Sequence, residues 1–151
     1  MLVRLFVSLL SLPNILLYSL PVAAFLIYVP YLVVAAERVK LAQSMDNPLE
    51  VFSRPRFYAD KLPDYAKRAN WAHQNAFESF MLYAPAAIMA YVTGQDGRNA
   101  LLAVLAYLIA RLMFAVFYML NVAPLRSLMF GIGSFSIFSL YFMSCKTLWL
   151  Q

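Results

Sequence analysis

Charge is scarce in this 151-residue chain: 13% of residues are Asp, Glu, Lys or Arg, where soluble domains carry about 25%. Cysteine occurs once, as Cys145, which excludes an internal disulfide and any cysteine-based metal site. The expected state of that thiol is buried and inert. Histidine also occurs once, as His73, so no metal site is expected. A glycine-rich phosphate loop, a Ser/His/Asp order and paired carboxylates are all missing. What the chain does have is apolar: 64% hydrophobic residues and a mean hydropathy of +0.70. A spanning helix needs about 20 such residues, so the length suits one all-α membrane domain of four spans.

The net charge of +5 does not point to nucleic acid. Seven of the twelve basic residues lie between Arg38 and Arg68, and five of the seven acidic ones lie between Glu37 and Asp64. Mixed signs of this kind mark a solvated connection rather than a polyanion-binding arm.

Residues 1–36 are almost wholly apolar. A secretory signal peptide would be shorter and would end on a small-residue cleavage site. A short interfacial piece up to Ser11 and a first span over about 13–36 are expected instead. Asn47-Pro48, Arg54-Pro55-Arg56 and Leu62-Pro63-Asp64 are breaker signals. They make 37–64 the one long connection, and it is a candidate lid over the membrane surface. Further spans follow over about 65–92, 98–120 and 125–149, joined by short turns at Thr93–Gly97 and Asn121–Pro124. Short connections imply antiparallel neighbours. The spacings Ala106/Ala110 and Ser127/Gly131 suit close helix approach in lipid. The excess of Lys and Arg puts the long connection on the cytoplasmic side.

Polar groups interrupt the second span where lipid would exclude them. At about 100° per residue, Arg68, Trp71, Asn75 and Glu78 share an arc of roughly 80°. Glu78 and Arg111 each stand ten residues from the same end of antiparallel spans, about 15 Å deep at the helical rise. Alone, each would cost on the order of 3 kcal/mol, so an ion pair between them is expected. Tyr107, Phe114 and Tyr118 share the Arg111 face, as site residues or as interfacial anchors. His73 projects away from the stripe and is expected to be hydrogen-bonded.

Arg68, followed by Asn75 and Glu78 three apart at the start of an apolar helix, resembles the hallmark of the MAPEG family. These are membrane-associated proteins in eicosanoid and glutathione metabolism. The run Ala110-Arg111-Leu112-Met113-Phe114, with Tyr118 four further on, supports the resemblance. The tail Pro124-Leu125-Arg126-Ser127-Leu128 looks like the bacterial branch, which implies a bacterial inner membrane. The resemblance implies a four-helix subunit assembled as a homotrimer, with glutathione as co-substrate between subunits near the cytoplasmic face. By matching position it assigns Arg68, His73, Asn75, Glu78, Arg111 and Tyr118 to glutathione binding. It leaves Arg126 or Arg38 to stabilise the thiolate, since a neighbouring cation lowers a thiol pKa. This chain departs from the pattern at Trp71, which replaces an arginine, and at Ser79 and Phe114, which replace tyrosines. The thiolate-activating arginine falls at Leu125, one residue before Arg126, a rotation of about 100°.

Three functions follow. A glutathione-dependent transferase or peroxidase would act on a lipophilic electrophile drawn from the bilayer. A non-catalytic member would bind a lipid or present it to a partner. A small proton-coupled exporter would use the membrane glutamate, against which the expected Arg111 partner argues by holding Glu78 ionised.

Overall fold

The computed structural model describes residues 12–150. The expected interfacial piece up to Ser11 lies outside them, as does Arg4. Four long helices carry the fold: α1 (Leu12–Gln43), α3 (Asp64–Val92), α4 (Arg98–Met119) and α5 (Ala123–Trp149). A short α2 (Pro48–Ser53) and a 3-10 turn (Ala59–Lys61) sit in the long connection. Among the described residues there is no strand.

Three of the long helices, over 13–43, 98–119 and 123–149, are long and apolar enough to cross a membrane. The fourth, α3, packs against all three and is the most polar of them. Its packing face is a stripe of Ala66, Ala69, Ala72 and Ala76, continued by Tyr83, Ala86, Ala87 and Ala90. Small side chains let helix backbones approach where lipid supplies no hydrophobic drive. The α1–α3 and α4–α5 pairs make the most extensive contacts, while α1 and α5 occupy opposite corners.

Both turns between the later helices close by the same device. Gly94, with φ +69°, follows α3, and the backbone N–H groups of Gly94 and Gln95 return to Tyr91 O and Ala90 O. Asn121, with φ +60°, follows α4, and the N–H groups of Asn121 and Val122 return to Tyr118 O and Phe117 O. A left-handed residue with these two returning bonds satisfies carbonyls that the helix end leaves free. The reversals are tight, so α3, α4 and α5 run antiparallel in sequence. Gln95 also donates to Thr147 Oγ1 at 2.8 Å, which ties the first turn to the far end of α5.

Prolines inside the helices are handled by neighbours. A proline cannot donate to the ladder and its ring pushes the preceding turn open. Pro30 and Pro85 leave the carbonyls of Leu26 and Met81 without their ladder donors. At the neighbouring carbonyls, Ile27 O accepts from His73 Nδ1 at 2.8 Å and Leu82 O accepts from the Tyr141 hydroxyl at 3.1 Å. Side chains from adjacent helices thus bond to α1 and α3 beside each proline gap.

Several expectations need revision. The first helix runs on to Gln43, past Glu37 and Lys40, which pair with each other. The long connection is packed, with Val51 and Tyr58 buried against Ala42 of α1. Cys145 is exposed on α5 rather than buried, because the packed face of that helix runs through Gly133, Ser136, Ile137, Leu140 and Ser144. Ser127 and Gly131 are exposed too, and Gly133 is the glycine at a helix contact.

Candidate functional site

The stripe on α3 lies at the edge of its alanine face. Arg68 and Asn75 are half-buried, whereas Trp71 and Glu78 point out of the single chain. The expected Glu78–Arg111 ion pair is absent. Among the described residues the ion pairs are Lys40–Glu37, Arg54–Glu50 and Lys67–Asp64. Arg111 instead donates from Nη2 to Asn75 Oδ1 at 3.0 Å. Three residues along a helix are a rotation of about 60°. That offset turns Asn75 toward α4 and Glu78 away from it, although both sit at a depth Arg111 can reach. Without that pair, the expected Arg111 partner no longer stands against a proton-coupled exporter.

Arg111 is only 5% exposed. Its Cδ packs over Gly133 of α5, where an added Cβ would lie 3.6 Å away. Its Cζ stands 4.5 Å from the Phe114 ring centroid, within cation–π range. Its Nε is buried and has no acceptor among the described residues. Buried donors without partners are uncommon, and a guanidinium has five to satisfy. One amide oxygen and one aromatic face leave this cation under-satisfied.

From Arg111 a row of contacts runs to the end of α4. Phe114 and Tyr118 meet edge to face with centroids 5.4 Å apart. Arg126, at the start of α5, lies 4.5 Å from the Tyr118 ring centroid. Leu125 is exposed, so the helix turns Arg126 rather than its neighbour toward this row. At the same end Arg68 Nε donates to Met119 O at 3.0 Å, filling a carbonyl that α4 leaves free. Asn75, Arg111, Tyr118 and Arg126 are therefore brought together, with Arg68 beside them.

His73 and Arg38 belong to a different face, between α1 and α3. A carbonyl can only accept, so the bond to Ile27 O fixes the proton on His73 Nδ1. The imidazole packs on Tyr31, with centroids 5.0 Å apart, and the Tyr31 hydroxyl accepts from Arg38 Nη1 at 3.2 Å. Arg38 Nε is a second buried donor without an acceptor among the described residues. A cavity of about 70 Å³ lies beside it, lined by Asp60, Lys67, Asn70 and Trp71. Arg38 and His73 thus lie between α1 and α3, apart from the Arg111 row between α3, α4 and α5.

Sequence reasoning missed Tyr31 and Gly133. Tyr31 was findable from Pro30, which marks the turn where α1 needs a partner. Gly133 was hidden behind Gly131, which fits the small-residue spacing better. Tyr107 is not an interfacial anchor. It is buried, stacked on Tyr83 at 3.7 Å between centroids, and its hydroxyl lies 3.3 Å from Ser79 Oγ. Ser79 therefore completes a core contact in this chain.

The model of the MAPEG family matches residues 15–145 of this chain. The chain belongs to the MAPEG family. It is an integral membrane protein built as a four-helix bundle. No curated protein and no solved structure matches it. In this MAPEG protein Trp71 stands exposed on the α3 stripe and the Ser79 hydroxyl lies beside that of the buried Tyr107.

Proposed function

We propose that this MAPEG protein is a glutathione-dependent transferase or peroxidase that acts on lipophilic electrophiles reaching it through the bilayer. The observation that carries the reading is the row Asn75–Arg111–Phe114–Tyr118–Arg126, in which a buried guanidinium keeps a free donor. Glutathione offers two carboxylates, one ammonium and one thiol. Arg68 and Arg111 suit the carboxylates, and Asn75 suits a backbone amide of the peptide. Glu78, a carboxylate exposed deep in an apolar helix, suits the ammonium.

Arg126 is the cation for the thiolate. A guanidinium stays charged at any working pH, so it lowers the thiol pKa without titrating itself. The thiolate sulfur then forms a bond to the electrophilic carbon, and the leaving group departs with the electron pair.

The α1–α3 face gives Arg38 and His73 a place in the same scheme. A homotrimer would set the α1–α3 face of one subunit against the α4–α5 row of the next, covering Glu78 and Trp71. An ionised side chain facing lipid is costly, which favours such a cover. The long connection would then be cytoplasmic, at a bacterial inner membrane.

The test is Arg126→Ala in the purified protein. Turnover of a lipophilic haloarene with glutathione should fall to the uncatalysed rate, while calorimetric glutathione binding persists. Undiminished turnover would remove Arg126 from the mechanism. One feature favours a non-catalytic lipid-binding member instead: Phe114 places a hydrocarbon ring over the Arg111 guanidinium. Absence of any glutathione-dependent thermal stabilisation in wild type would select that reading.

A further inference from the structure

At the end of the bundle remote from Arg111 and Arg126, a groove of about 720 Å³ runs between α4 and α5. Its floor is made of small residues, Ala103, Ala106 and Ser136, and its walls are the rings of Phe135, Phe138 and Phe142. The serines do not make it polar. Ser136 Oγ is bonded to Ile132 O at 2.8 Å and Ser139 Oγ to Phe135 O at 2.7 Å. Polarity is confined to the mouth, where Asn99 and Lys146 stand.

Two properties select the occupant. From Phe135 to Lys146 the groove follows α5 for eleven residues, about 16 Å at the helical rise. That is close to the hydrocarbon depth of one leaflet, about 15 Å. The lining is therefore an acyl-chain length of apolar surface that ends at a cation. Lys146 and Arg98 at this end join no ion pair among the described residues. We propose that the groove holds one acyl chain of an anionic phospholipid, with the headgroup phosphate on Lys146 in the leaflet opposite the long connection. The site is separate from the glutathione row and does not depend on it.

The test is native mass spectrometry of the full chain, purified in detergent with equal amounts of dioleoyl phosphatidylglycerol and dioleoyl phosphatidylcholine. Wild type should retain one lipid per chain, with the anionic one in roughly fivefold excess, as expected for one lysine facing one anionic headgroup. Lys146→Gln should bring the ratio close to one. Ala106→Phe, which fills the floor, should remove both lipids, and Lys40→Gln at the other end should change nothing. An unchanged ratio in Lys146→Gln would overturn the proposal. So would wild-type lipid retention in Ala106→Phe. A loss of oligomer in that variant with lipid unaffected would assign the groove to a second copy of the chain.

Discussion

Arg111 and Asn75, from antiparallel neighbouring helices, are joined by a 3.0 Å hydrogen bond that stands where an ion pair with Glu78 is expected. A neutral amide thus holds the deepest cation of the bundle. Asn75→Leu would leave Arg111 without a hydrogen-bond partner from a side chain and should cost about 2 kcal/mol, the scale for a bond to a charged group. Asn75→Asp should be no less stable than wild type, since a carboxylate at that place pairs directly. Thermal unfolding in detergent compares the two, and equal losses in both would mean that the bond contributes little.

Gly133 makes room for the Arg111 stem. An alanine Cβ there would meet Arg111 Cδ at 3.6 Å, an ordinary contact, so Gly133→Ala should be nearly neutral. Gly133→Leu should push the guanidinium off Asn75 and cost about 1–3 kcal/mol through overpacking. Unfolding midpoints read both variants, and a neutral leucine would show that Arg111 has another place to go.

The bond from His73 to Ile27 O ties α3 to α1 next to Leu26, whose carbonyl loses its ladder donor to Pro30. His73→Phe should destabilise by about 1 kcal/mol, while His73→Gln, which keeps a donor, should recover most of the loss. In a Pro30→Ala background the cost of His73→Phe should shrink. A cost that is independent of residue 30 would separate the histidine from the proline.

Arg126, not position 125, faces Tyr118. Exchanging the pair, Leu125→Arg with Arg126→Leu, keeps composition and rotates the cation by about 100°. Glutathione-dependent turnover should be lost in the exchanged protein. Retained turnover would show that the guanidinium needs no fixed direction.

The fold was largely legible because lipid imposes a simple rule on sequence. Apolar runs of spanning length, interrupted at Thr93–Gly97 and Asn121–Pro124, predict helices that turn at Gly94 and Asn121. Depth was legible too, since counting residues from a shared end put Glu78 and Arg111 at one level. Rotation was not. Whether α3 turns Asn75 or Glu78 toward α4 depends on which alanines pack against α1, and that is a property of two helices together. Tyr107 shows the same limit, because its stacking on Tyr83 requires the register between α3 and α4. For the proposed thiolate chemistry the sequence leaves both Arg126 and Arg38, and the proposal takes Arg126 because it lies on the Tyr118 ring.

The proposed place for the carboxylate-bearing peptide thiol is the under-satisfied Arg111, with Asn75 and Arg68 beside it. Calorimetric titration of glutathione into the purified assembly tests it most directly, in wild type and in Arg111→Met and Arg68→Ala. Saturable binding to wild type is expected, weakened roughly tenfold or more in each variant, as for loss of a charge-assisted hydrogen bond. Heats for wild type that match buffer dilution, or affinities that neither substitution changes, would contradict it.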